Sequence, residues 1–276
     1  MDNRIRSFCI LDRRPDPAEA ELAVHVVPER MTPTTELRGR LLGPRCRYST
    51  TVEIAYPLRP FPGTPPAVDA LEMRIIIPEP SFWDPESPFL YEGPIELWQD
   101  RRRCDRVQGC HGIRRTLLGP HGLRWNGKSL MLQGRRVRSA TGEEMHAWRR
   151  QGVNLLLVPV TEETAPLWGL ADRIGMIVLG EVSSIDGPTL PRLQSLEAHP
   201  SCLGWLLGPE ALLREGVGRT NLGVRLDNPP QGPLPASVRF VACPAERAEA
   251  FAALGLPLLL LGGAPANVAA VMGCVA

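Results

Sequence analysis

Glu210 stands where a carboxylate could do chemistry. Residues His199 to Glu210 read His-Pro-Ser-Cys-Leu-Gly-Trp-Leu-Leu-Gly-Pro-Glu, an apolar strand closed by an acid. That is how an acid/base residue is mounted at the mouth of a β/α barrel. Further along, a second apolar strand, Leu256–Leu261, ends in Gly262 and Gly263 with no carboxylate. Hydrolysis of a glycosidic bond by paired carboxylates needs both, ~5 Å apart for retention and ~6.5–9.5 Å for inversion. Glu181 and Asp227 also close predicted strands and are the candidate second carboxylates.

Other chemistries find less support. Seven cysteines are scattered with no Cys-x-x-Cys pair, and the spacing of Cys104, Cys110 and His111 fits no zinc pattern. No Gly-x-Ser-x-Gly elbow and no phosphate-binding glycine loop is present. A net charge of +1 gives no general attraction to nucleic acid or to an anionic membrane. Arg101–Arg103, the one dense basic run, reads as a solvated loop. No run reaches the ~18 apolar residues of a membrane span. The charged N-terminal stretch lacks the apolar core of a secretory signal, so a reducing cytoplasm with free thiols is expected.

The elements that would position these residues change rhythm near residue 118. Before it, strand-like segments Glu21–Val27, Thr35–Leu42, Arg47–Ala55, Ala70–Ile77 and Ile95–Trp98 are separated by proline-rich turns, the pattern of a β-sandwich. After it, near-continuous apolar strands alternate with helical patterns, which predicts a parallel sheet covered by helices. Strands are predicted at Leu130–Val137, Asn154–Val160, Met176–Val182, Cys202–Leu207, Asn221–Leu226, Val238–Ala242 and Leu256–Leu261. Helices are predicted at Glu143–Gln151, Thr164–Ile174, Pro191–Ala198 and Glu246–Leu254, and a terminal one at Ala266–Met272. The expected architecture is an immunoglobulin-like β-sandwich over 1–117 and a compact TIM-type (β/α) barrel over 118–276. The barrel is expected to be incomplete, because an eighth strand finds no room. Trp148 and Trp168 fall on predicted helices and Trp205 within a strand, where core packing is expected rather than sugar stacking.

Several fragments, in order, resemble glycoside hydrolase family 2, which includes β-galactosidases, β-glucuronidases and β-mannosidases. Ser81–Tyr91 (SFWDPESPFLY) is similar to the family segment near the end of its immunoglobulin-like domain. Gly112-Ile113-Arg114 resembles the domain junction, and Asn126-Gly127-Lys128 followed by Gly134 the barrel entrance. Gly152-Val153-Asn154, Asp172-Arg173-Ile174-Gly175, Glu181 and His199–Glu210 resemble successive barrel signatures.

The resemblance implies that Glu210 is the general acid/base and that the nucleophile belongs at the end of the seventh strand, where this chain has Gly262. Glycine cannot attack an anomeric carbon. The family's Asn before the acid/base is Pro209, its Arg on the second strand is Leu157, and a His two residues past Glu181 is Ser183. No cofactor or metal is therefore expected, nor is the sugar-binding domain that precedes the sandwich in many family members. The resemblance implies a catalytically degenerate homologue that binds carbohydrate or a protein partner. The alternative is an active β-glycosidase using Glu210 with a relocated carboxylate.

Overall fold

Alternation of apolar and polar residues makes the inner strands of the N-terminal part of the chain two-faced. The computed structural model describes residues 3–62, 69–184, 189–208, 221–263 and 270–276. Contacts divide the chain into two units, Met1–Arg114 and Arg115–Ala276.

The first unit holds β1 (Ile5–Pro15), β2 (Glu19–Pro28), β3 (Glu36–Arg45), β4 (Ile54–Pro57), β5 (Arg59–Pro60), β6 (Leu71–Pro78), β7 (Leu90–Gln99) and β8 (Arg102–His111). They form two four-stranded antiparallel sheets, ordered β1-β2-β6-β5 and β4-β3-β7-β8. Leu22, Val24, Ile75 and Ile77 of one sheet and Leu41, Ile95 and Leu97 of the other share a single buried cluster. The expected sandwich is present. β1 and β8 were not expected as strands, and only Ile54 and Ala55 of the expected strand Arg47–Ala55 are extended. The basic run is no loop either, since Arg102 and Arg103 open β8. Only Asp100 and Arg101 form the turn, both at positive φ.

The sandwich explains the Ser81–Tyr91 fragment. Tyr91 is buried, and its hydroxyl accepts from the Ser81 amide at 2.9 Å. Asp84 accepts from the Glu86 and Ser87 amides and closes a local turn. The Trp83 amide donates to the Ile113 carbonyl at 2.7 Å.

The second unit opens with a three-stranded meander, β9 (Thr116–Gly119), β10 (Gly122–Trp125) and β11 (Lys128–Leu130). Asn126 and Gly127 turn β10 into β11 at positive φ. Asn126 Oδ1 accepts from the Arg115 amide at 2.9 Å.

Then come β12 (Leu132–Arg136), α1 (Gly142–Arg150), β13 (Leu155–Pro159), α2 (Pro166–Ile174), β14 (Ile177–Val182), α3 (Thr189–Glu197), β15 (Cys202–Leu207), β16 (Asn221–Arg225), β17 (Val238–Pro244), α4 (Ala248–Ala252), β18 (Leu258–Leu261) and β19 (Val271–Val275). β12 to β19 form a closed parallel barrel, in which β19 pairs with both β18 and β12. The barrel is thus not incomplete: the eighth strand lies where the sequence suggested the end of a helix, at Val271–Val275. Room for it comes from economy elsewhere. The strands are short, and the described connection 226–237 between β16 and β17 carries no helix.

Leu156, Val158, Val178, Trp205 and Leu207 face outward and join Leu167, Trp168, Ala171 and Ile174 of α2 in one buried cluster. The alternate residues of each strand face the lumen. Two contacts there leave no room for side chains. A Cβ on Gly223 would lie 2.2 Å from the Phe240 ring, and one on Gly273 would lie 2.3 Å from the Leu132 carbonyl oxygen.

Candidate functional site

The carboxyl ends of β12 to β16 surround a cavity of about 310 Å³. Its wall includes Arg136 and Arg138 from β12 and just beyond, Pro159 from β13, and Glu181 from β14. Gly208 follows β15, and Arg225 ends β16. Register explains the grouping. Pro159 pairs with Glu181, and Glu181 with Leu206, so neighbouring strand ends form one continuous arc. The alternation that turns Arg135 outward, 4.9 Å from the Trp148 ring, turns Arg136 toward the lumen.

Glu181 is the carboxylate that the described residues bring to this cavity. It is not a free base: its Oε1 accepts from Arg136 Nη2 at 2.7 Å. Arg136 is thereby committed as well, while the side chains of Arg138 and Arg225 make no hydrogen bond or ion pair among the described residues. Around Glu181 the wall is apolar at Val182, Leu206 and Leu207, and Gly208 exposes bare backbone. No tryptophan, tyrosine or phenylalanine lines the cavity among the described residues.

The other sequence-predicted positions are distributed unevenly. Gly262 directly follows β18, the seventh barrel strand, at φ +72°, and its amide donates to the Val275 carbonyl at 2.9 Å. A Cβ there would meet nothing within 4 Å. Asp227 is exposed beyond β16 and is not among the residues lining the cavity. Glu210 and Pro209 lie outside the described residues. Ser183 lines the cavity. Among the described residues no three His, Cys, Asp or Glu side chains stand close enough to hold a metal, and no helix is long and apolar enough to cross a membrane.

The remaining barrel signatures act on the scaffold. Asp172 is buried on α2, with its Oδ2 2.6 Å from His199 Nδ1 and its Oδ1 accepting from the Ser201 amide at 3.0 Å. The acid of one signature therefore holds the His-Pro-Ser turn of the next, which launches β15. Asn154 bridges β12 and β13, accepting from the Gln133 amide and donating to the Met131 carbonyl. Trp168 and Trp205 are fully buried against the helices, as core residues. The arginines at the mouth went unnoticed in the sequence. Their signal is weak: Arg136 and Arg225 each end an otherwise ordinary strand, and only the closed barrel brings them to one cavity.

No protein-family model and no curated protein matches the chain. Solved structures do match its fold. A glycosyl hydrolase family 2 member from Bacteroides cellulosilyticus aligns over 99% of this chain and 44% of its own, with a TM-score of 0.74 at 17% identity. A calcium-binding mutant of β-glucuronidase 2 from Bacteroides uniformis aligns over 99% and 47%, with a TM-score of 0.71 at 13% identity. A β-glycosidase from Bacteroides vulgatus aligns over 94% and 38%, with a TM-score of 0.68 at 14% identity. The chain spans less than half the length of each, and its fold is that of the matched portion of these structures, a glycosyl hydrolase family 2 member among them.

Proposed function

We propose that this chain is a catalytically degenerate homologue of the family 2 glycosidases, whose barrel mouth binds a carbohydrate-class ligand without turning it over. The observation that carries the reading is the end of the seventh strand. Gly262, at the strand end where the family resemblance expects a carboxylate nucleophile, offers only open backbone, and double-displacement chemistry needs that carboxylate. Glu181 is a poor substitute, because its charge is held by Arg136 at 2.7 Å. Asp227 is exposed and is not among the residues lining the cavity. The residues that carry the scaffold resemblance, by contrast, are engaged in hydrogen bonds at Asp172, Asn154 and Asn126.

A second reading has one observation in its favour. Glu181 does line the cavity, so Glu210 as acid with Glu181 as its partner would make an active β-glycosidase. A hydrolysis screen on aryl β-galactosides, glucuronides and mannosides separates the two. Wild type, Glu210→Gln and Glu181→Gln should release aglycone at the same background rate. Turnover that either substitution abolishes would establish a working pair and end the degenerate reading.

A further inference from the structure

The charge of the mouth cavity does not suit a neutral sugar alone. Three guanidinium groups, Arg136, Arg138 and Arg225, line it against a single described carboxylate, Glu181. Arg136 and Glu181 satisfy each other. That leaves two positive charges, at the ends of the first and fifth barrel strands, with no described counter-charge. Apart from Glu181 and the Ser183 hydroxyl, the described wall between them is apolar or bare backbone, and among the described residues it offers no aromatic face for stacking.

We propose that this cavity holds a small tetrahedral dianion, a phosphate monoester by class, gripped between Arg138 and Arg225. Two guanidinium forks without a partner among the described residues match two negative charges, and each fork can donate a parallel pair of hydrogen bonds to oxyanion oxygens. Lysine at either place would supply charge but not the paired geometry. At about 310 Å³ the cavity sits near the small end of ligand pockets, roughly 300–1,000 Å³. A monosaccharide-sized ester is therefore the appropriate scale. The Arg136–Glu181 pair sets the limit of the positive arc and keeps a third guanidinium from closing on the ligand. The inference rests on the mouth being the ligand site, not on the loss of turnover.

Isothermal titration of the full chain with inorganic phosphate, sulfate, glucose 6-phosphate and glucose tests it. Glucose 6-phosphate should bind and glucose should not. Arg138→Ala and Arg225→Ala should each weaken the phosphate ester by about tenfold or more. Both side chains are exposed, so both variants should keep the wild-type circular dichroism and melting point. Glu181→Gln should tighten binding several-fold by removing the opposing charge, and added salt should weaken it. Inorganic phosphate and sulfate binding as well as the ester would place recognition in the oxyanion alone and still support the arginine grip. Glucose binding unaffected by either arginine substitution would overturn the anion site while leaving the carbohydrate reading intact. Phosphate-ester binding that survives both arginine substitutions, or no binding by any of the four probes at millimolar concentration, would overturn it too.

Discussion

Replacing Asp172 should unlock the barrel at one identifiable joint. The carboxylate is buried on α2 and ties down the turn before β15 through His199 at 2.6 Å and the Ser201 amide at 3.0 Å. Hydrogen bonds to a charged group contribute about 1.5–3 kcal/mol each, and a buried donor left without a partner costs about 1–3 kcal/mol. Ser201 is fully buried, so its amide cannot turn to water when the acid is removed. The His199 side chain is 31% exposed and recovers part of its loss by hydration. Asp172→Ala should therefore cost about 3–4 kcal/mol, and Asp172→Asn, which still offers Ser201 an acceptor, about 1–2 kcal/mol. Urea denaturation read by tryptophan fluorescence measures both, because Trp168 and Trp205 share the adjoining cluster. With a slope near 2 kcal/mol/M, the alanine midpoint should fall by about 1.5–2 M. A fall of less than about 0.5 M, or an asparagine variant as weak as the alanine one, would refute the argument that the Ser201 amide is the costly orphan.

Three further predictions concern other parts of the fold. Burial pushes the Tyr91 hydroxyl up to about 12 from its ordinary 10. The unfolded chain therefore releases this proton first, and stability present below pH 10 is lost as pH rises toward 12, by up to about 3 kcal/mol. In alkaline unfolding, Tyr91→Phe should start about 1 kcal/mol weaker at pH 8, with the Ser81 amide unpaired, yet decline less steeply; parallel curves would contradict this. Gly223→Ala drives a methyl into the Phe240 ring and should cost about 1–3 kcal/mol by melting-curve analysis. Burial, with help from Glu246, pushes the Cys243 thiol up to about 11. Mass-spectrometric mapping with iodoacetamide at pH 8 should find Cys243 unmodified in the native protein and modified in urea.

Legibility followed physics that acts locally. Strand β13 reads as Leu-Leu-Leu-Val-Pro, buried on both faces, and α2 places Leu167, Ala171 and Ile174 on one side. Such patterns declare themselves without tertiary context. Strands β1 and β8 did not, because both lie at sheet edges, where exposed faces favour charged residues and blur the alternation. The stretch ending in β19 is rich in alanine and reads as helix, yet barrel closure claims Val271–Val275 as strand. Gly273 is the residue that allows it, since any side chain would strike Leu132. At the site, Glu181 and the absence of a side chain at Gly262 were visible in the sequence. The arginine arc was not, because it exists only once five strand ends lie side by side.

Closure also dictates the order of events during synthesis. β12, the first barrel strand to leave the ribosome, finds one of its two partners in β19, the last. Until residues through Val275 have emerged, β12 and β18 each present an open row of backbone donors and acceptors. The barrel therefore cannot close while translation is still within it. During that interval the open strand edges are exposed to pairing with neighbouring chains.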